Sequence, residues 1–185
     1  MQDIHVELTG QEEDTSLVNA PDKICSTAAG SAQGLSFEEY LSRYGTLTYI
    51  TVGVSMLPML RQQRDLVNIR KKGAERCRKY DVVLYHGPAN KHILHRVVQV
   101  REHDYVILGD NCIQKEYGIT DSQIIGVLES FVRDGRLIRT DSPMYLVYSR
   151  LWVFLSPVRI LSKRFLRKSR SIIRRLKHFL KRLLK

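Results

Sequence analysis

Between Ser36 and Gly45 the apolar residues fall at helical spacing, and from Leu47 onward they follow strand spacing. The first stretch reads as one short helix. Ser36 and Glu39 form a capping box, in which the serine hydroxyl accepts from the Glu39 amide and the carboxylate reaches back. The helix runs to about Tyr44, where Gly45 supplies a left-handed stop. Tyr40, Leu41 and Tyr44 share a face, which is expected to pack on the strand that carries Ser55. Short β-rich runs follow at Leu47 to Val52, Leu66 to Ile69, Asp81 to Tyr85, Ile93 to Val100, Tyr105 to Leu108 and Ile124 to Val132. Asp134-Gly135 is a hairpin signal that returns the last run to Leu137-Ile138. Lys71 to Lys79 reads as a basic loop between two strands. Short strands divided by turn residues predict a mainly β domain, coiled or barrel-like.

The two ends are patterned differently. Residues 1–35 are polar and acidic at Gln11-Glu12-Glu13-Asp14 and small around Ala28 to Gly34. They offer little to bury and read as a flexible leader, with a short strand near Ile4 to Leu8 as its one candidate element. The charged start and apolar run of a secretory signal are missing. Residues 144–162 are apolar and aromatic, with Trp152 and Phe154, but Arg150, Pro157 and Arg159 interrupt them. A spanning helix needs about 20 mostly apolar residues, so this segment reads as non-spanning. Beyond it, Ile172, Leu176, Phe179, Leu180, Leu183 and Leu184 recur at helical spacing against a Lys and Arg face. That is a basic amphipathic helix of the kind that lies in a membrane interface. The expected organisation is a leader over 1–35, a β-domain over 36–142, and an apolar segment with the amphipathic helix over 143–185.

Charge sharpens this division. The formal net charge is +11, and 11 of the 30 Lys and Arg lie in residues 163–185, which carry no acid. The other 19 balance the 19 Asp and Glu, so residues 1–162 taken together are neutral. A basic nucleic-acid-binding core is thereby disfavoured, and one local contact with an anionic surface is favoured. Each basic group near an anionic leaflet contributes about 1 kcal/mol, so the tail suffices for peripheral attachment. The expected partner is an anionic membrane surface, with the chain on its cytoplasmic face and no nucleic acid bound. Cys25, Cys77 and Cys112 are few and irregularly spaced, which fits a reducing compartment rather than a disulfide framework.

The residues with chemical potential cluster in three short stretches. Gly53-Val54-Ser55-Met56-Leu57-Pro58 sets a serine in an apolar collar at the end of a β-rich run. Pro58 fixes its own φ and restricts Leu57, giving the turn a rigid exit. His92-Ile93-Leu94-His95-Arg96-Val97 follows, and then Leu108-Gly109-Asp110-Asn111. Ser-Met-x-Pro, an ionisable residue before Arg-Val, and Gly-Asp-Asn, in that order and spacing over residues 46 to 131, resemble the signal peptidase I family. The bacterial enzymes mostly carry lysine before Arg-Val. Histidine stands there in the eukaryotic, archaeal and some Gram-positive members, and this chain resembles that branch.

The resemblance implies a serine endopeptidase with Ser55 as nucleophile and His95 as base, on a signal-peptidase-like or repressor-protease-like coiled β-fold. An imidazole titrating near 6.5 is available as a base at neutral pH without the desolvation a lysine needs. His95 would take the Ser55 proton and return it to the leaving amine. His92 competes for the role, but three residues apart on a strand the two rings point to opposite faces. His95 shares its face with the apolar Ile93 and Val97. In the histidine-type enzymes an acid six residues beyond the Gly-Asp-Asn aspartate orients the histidine; here that is Glu116. Asp110 is expected as structural and catalytic support, and Asp121 remains a third candidate acid.

Two departures stand out. Where bacterial members often carry an oxyanion-hole serine, this chain has Gly53. Family enzymes generally hold a membrane helix at the N-terminus, and its absence here makes translocated signal peptides a doubtful substrate. The expected substrate is a leader- or signal-bearing peptide or protein, bound extended along an edge strand. The resemblance implies small residues near the cleaved bond. His86, His92, His95 and Cys112 fall at no recognised metal-ligand spacing, and no metal or cofactor is expected. Two alternatives remain. One is a self-cleaving repressor-like protease, although neither its lysine nor a DNA-binding helix pair is evident. The other is a non-catalytic membrane- or nucleic-acid-binding adaptor.

Overall fold

Val82-Val83-Leu84-Tyr85 is buried on both faces, and this run marks the middle of the sheet. The structure, a computed structural model, describes residues 36–88 and 91–166. The proposed leader with its Ile4 to Leu8 strand, and the amphipathic tail from residue 167 on, lie outside the described residues. The chain is mainly β, an antiparallel sheet of eight strands with one helix near the N-terminus and two near the C-terminus. The strands are β1 (Thr46–Ile50), β2 (Leu66–Lys71), β3 (Val82–His86), β4 (His92–Val100), β5 (Tyr105–Leu108), β6 (Glu116–Ile119), β7 (Ile124–Arg133) and β8 (Arg136–Arg139). Their order is β1-β2-β7-β3-β4-β5-β6, with β8 paired to the far end of β7. Among the described residues no pairing joins β1 to β6.

Strand alternation divides the core in two. Val82 and Leu84 face one side with Leu47, Tyr49, Val67, Ile69, Leu94, Leu128 and Phe131. Val83 and Tyr85 face the other with Val97, Tyr105, Ile107, Ile119 and Val127. Helix α1 (Phe37–Tyr44) covers the first side. Its capping box is complete, with the Glu39 amide donating to Ser36 Oγ at 3.2 Å and the Ser36 amide to Glu39 Oε2 at 2.9 Å. Gly45 closes it at φ 75°, a conformation that costs glycine little. Tyr40 and Leu41 are buried against the sheet. The helix packs on β1, but Ser55 lies past the end of that strand, in a turn.

Two features were not anticipated. Strand β6 is too short and polar to show in the hydrophobic pattern, yet Ile107↔Glu116 and Tyr105↔Ile119 pair it to β5. Residues 143–166 also make contacts with the sheet and its loops. Helix α2 (Pro143–Phe154) buries Tyr145 in the first core and ends where Pro157 can no longer donate to the Val153 carbonyl. A third helix, α3, continues through residues 156–166. No helix among the described residues is long and apolar enough to cross a membrane.

Candidate active site

Antiparallel register explains the Gly-Asp-Asn stretch. Arg96 pairs with Leu108, which sets the next pair, His95 and Gly109, opposite each other where β4 and β5 part. A side chain at Gly109 would collide with what lies above it: a Cβ there would sit 2.7 Å from Cys112 Sγ and 2.8 Å from His95 Nε2. Glycine leaves the space in which the imidazole and the Cys112 thiol meet.

Glu116 reaches this imidazole from β6. Its Oε1 is 2.8 Å from His95 Nδ1, and Tyr85 donates its hydroxyl to Oε2 at 2.6 Å. The extra methylene of glutamate helps it reach across from an edge strand. Since the carboxylate accepts from Nδ1–H, the neutral ring presents its Nε2 lone pair on the far side. Nε2 is buried and has no hydrogen-bond partner among the described residues; the Cys112 thiol is its neighbour. Burial works against the charged imidazole. The contacts with Cys112 and Glu116 outweigh it and push the His95 pKa from 6.5 up to about 9. Burial also disfavours the Glu116 carboxylate, but the bonds from His95 and Tyr85 hold it below 4.5. Burial and the Glu116 bond together push the Tyr85 hydroxyl well above its usual 10.

Ser55 lies on the facing wall. Gly53, Val54, Ser55 and Gln62 line one side of a cleft of about 620 Å³, and His92, Ile93, His95, Asn111 and Cys112 line the other. Met56, Met59 and Leu60 anchor the serine turn in the core. The turn is tied to the opposite wall by the Asn111 amide on the Ser55 carbonyl at 2.6 Å and by Asn111 Nδ2 on the Val54 carbonyl at 3.0 Å. Gly53 has φ 101°, which a serine there would adopt only under strain, and its amide donates to Gln62 Oε1 at 3.2 Å. The Leu57–Pro58 peptide is cis.

The other predicted acids lie elsewhere. Asp110 is turned away from His95 and receives both Nε and Nη2 of Arg96, at 2.9 and 2.8 Å, with both side chains buried. Tyr145 and Tyr148 flank the guanidinium. Asp110 is thus structural, and its support of the site is indirect. Asp121 pairs with Lys72 and Arg76 and accepts from Tyr105. His92 points to the opposite face from His95, as strand alternation requires. It meets Glu38 Oε1 at 2.7 Å beside His86. The four residues weighed as metal ligands therefore separate into two pairs, His86 with His92 and His95 with Cys112.

Sequence reasoning did not assign three residues to this site, Cys112 having been weighed only as a metal ligand. Cys112 immediately follows the Gly-Asp-Asn stretch, and only the register brings it over His95. Gln62 lines the cleft from the far end of the serine turn. Lys163 reaches back from α3 to donate to the Asn111 carbonyl at 2.8 Å. No protein-family model, curated protein or solved structure matches this chain.

Proposed function

We propose that this chain is a serine endopeptidase of the signal peptidase type, in which Glu116 orients His95 and His95 activates Ser55. The observation that carries this is the Glu116–His95 bond at 2.8 Å, which turns the opposite ring nitrogen toward the cleft that Ser55 lines. The hydroxyl proton passes to Nε2 as the serine attacks the carbonyl, and Nε2 then returns it to the leaving amine. The Ser55 backbone amide is the first oxyanion donor, and the Gln62 side-chain amide is a candidate for the second. Catalytic hydrogen bonds are often long before substrate arrives, so a nucleophile not yet bonded to Nε2 is compatible with this role.

The substrate is a leader- or signal-bearing peptide that binds in extended form. What supports this is the edge beside the cleft: β4 pairs with β3 from His92 onward, but its pairing with β5 begins only at Arg96. The backbone of residues 92–95 can therefore take a peptide as an added strand. The enzyme attaches peripherally to an anionic membrane. Met144, Val147, Leu151, Phe154, Val158, Leu161 and Phe165 recur at intervals of three and four and are all exposed, Met144 at 86% and Phe154 at 78%. They lead directly into the basic tail, and this joint apolar and cationic character fits a bilayer interface.

Cys112 supports a second reading. The Cys112 thiol lies against the same imidazole, which could take its proton and make Cys112 the nucleophile. One experiment separates the two. Ser55→Ala and Cys112→Ala are assayed on a peptide library and labelled with a fluorophosphonate and with iodoacetamide. The serine mechanism requires loss of cleavage and of fluorophosphonate labelling in Ser55→Ala. It also requires cleavage by Cys112→Ala, with a pH–rate profile whose lower limb moves toward 6.5. Full activity in Ser55→Ala with none in Cys112→Ala would transfer the role to the thiol. Vesicle flotation tests attachment: binding to anionic vesicles should weaken in Phe154→Glu and in a chain ending at residue 166.

A further inference from the structure

A second cluster of chemical groups lies on the opposite face of β4. His86 and His92 are register partners at the loop end of the β3–β4 hairpin. Cross-strand partners project to the same face, and the two rings stand 5.1 Å apart between centroids. The first turn of α1 brings Glu38 over them. Glu38 Oε1 is 2.8 Å from His86 Nε2 and 2.7 Å from His92 Nε2. All three groups can offer ligand atoms within 4.8 Å of one another. Phe37 sets its ring edge-on to His92 at 4.4 Å, which limits the orientations that imidazole can take.

We propose that Glu38, His86 and His92 bind one divalent transition-metal ion of the zinc class. Two imidazoles and one carboxylate from three separate elements are the borderline donor set such ions prefer, whereas magnesium and calcium favour all-oxygen shells. The dimensions fit with a small adjustment. Bonds of about 2.0–2.1 Å in a tetrahedron space the ligand atoms roughly 3.3 Å apart. The nitrogen–oxygen separations of 2.7 and 2.8 Å must therefore widen by about half an ångström. All three side chains are partly exposed, so they can move by that much and an ion can reach them. His86 Nδ1 has no hydrogen-bond partner among the described residues, so none opposes the tautomer that turns its Nε2 lone pair to the ion. Three protein ligands leave a fourth position for water. The ion would clamp α1 to the hairpin at the rim of the cleft, because His92 also lines that cleft. This site does not depend on whether the cleft hydrolyses peptides.

The test uses the purified full-length chain after EDTA treatment. Zinc chloride is titrated by calorimetry, cobalt chloride by visible spectroscopy, and magnesium chloride serves as a control. The expected result is one tight zinc equivalent, the visible bands of four-coordinate cobalt, a higher Tm with zinc, and no response to magnesium. His86→Gln, His92→Gln and Glu38→Gln should each weaken zinc by at least the roughly 10- to 100-fold that even an outer-shell change costs. His95→Gln and Cys112→Ala should leave zinc affinity unchanged. Imidazole resonances of His86 and His92, followed by NMR in the unmodified chain, should shift with the first equivalent, which reads the site even if a variant folds poorly. No zinc binding, binding that survives the His86→Gln/His92→Gln double variant, or binding lost with His95→Gln would overturn the proposal. A hydrogen-bonded cluster alone would give the first of these results.

Discussion

Glu116→Gln removes a charge from His95 while keeping the shape of the side chain. The imidazole holds its proton to a pKa of about 9 when folded, against 6.5 for the free group. That tighter hold is worth on the order of 3 kcal/mol of folding free energy. Because the folded pKa lies above the unfolded one, the contribution is complete below 6.5 and is lost as pH rises through about 9. Cys112 and Glu116 share it, so the glutamine variant should lose roughly 1–2 kcal/mol at pH 6. For a chain of this size that lowers Tm by roughly 3–6 °C. The deficit should shrink toward zero above pH 9, where His95 is neutral in both proteins. Circular-dichroism melts across this range test the curve, and an NMR titration of the His95 ring tests its cause. Cleavage should fall by on the order of 10⁴, as when a triad acid becomes an amide. A ring that titrates at the same pH in both proteins, with parallel melting curves, would refute the pairing.

Other substitutions probe the frame around the site. Arg96→Ala leaves the buried Asp110 carboxylate unpaired and should cost about 3–5 kcal/mol, read as a lower urea midpoint. Gly109→Ala introduces a Cβ 2.7 Å from Cys112 Sγ and 2.8 Å from His95 Nε2. It should slow iodoacetamide labelling of Cys112 or displace the His95 ring resonances, with a smaller loss of stability than Arg96→Ala. Gly126→Ala, away from the site, would press its Cβ to 2.4 Å from Ile69 Cγ2 and 3.0 Å from the Arg70 carbonyl. It should cost about 1–3 kcal/mol in urea denaturation while leaving the His95 titration unchanged.

Where residue type dictates backbone behaviour, the sequence was readable. The capping box, the Gly45 stop and the Asp134-Gly135 hairpin all follow from local chemistry, and each is present. Apolar alternation also located β1 to β5 and β7 to within a few residues. It could not reveal β6, because Glu116, Tyr117 and Gly118 lie on an edge strand that buries only Ile119. For the acids, spacing alone left Asp110, Asp121 and Glu116 open. Only tertiary register separates them, by giving Asp110 to Arg96, Asp121 to Lys72 and Arg76, and Glu116 to His95. The role of Tyr145 was hidden for another reason. A segment rich in exposed apolar residues looks like an appendage until one tyrosine is seen to close the core over Arg96.

That last contact alters where the chain can be cut. On composition alone, the basic tail from residue 163 would be removable without touching the site. Yet the Asp110 carbonyl accepts from Trp152 Nε1 at 3.2 Å and from Arg159 Nη1 at 2.7 Å, and the Asn111 carbonyl accepts from Lys163 Nζ. Asn111 in turn holds the Val54 and Ser55 carbonyls. The helices that present the apolar stripe thus brace the loop joining the two walls of the cleft. Lys163→Ala should therefore lower kcat more than KM, whereas ending the chain after residue 166 should spare hydrolysis in solution and weaken only vesicle binding. Lys163→Arg, which keeps a cationic donor, should recover part of the loss. Unchanged kinetics in Lys163→Ala would mean that the Asn111 loop keeps its geometry without α3. Helices α2 and α3 would then be coupled to the cleft by proximity alone.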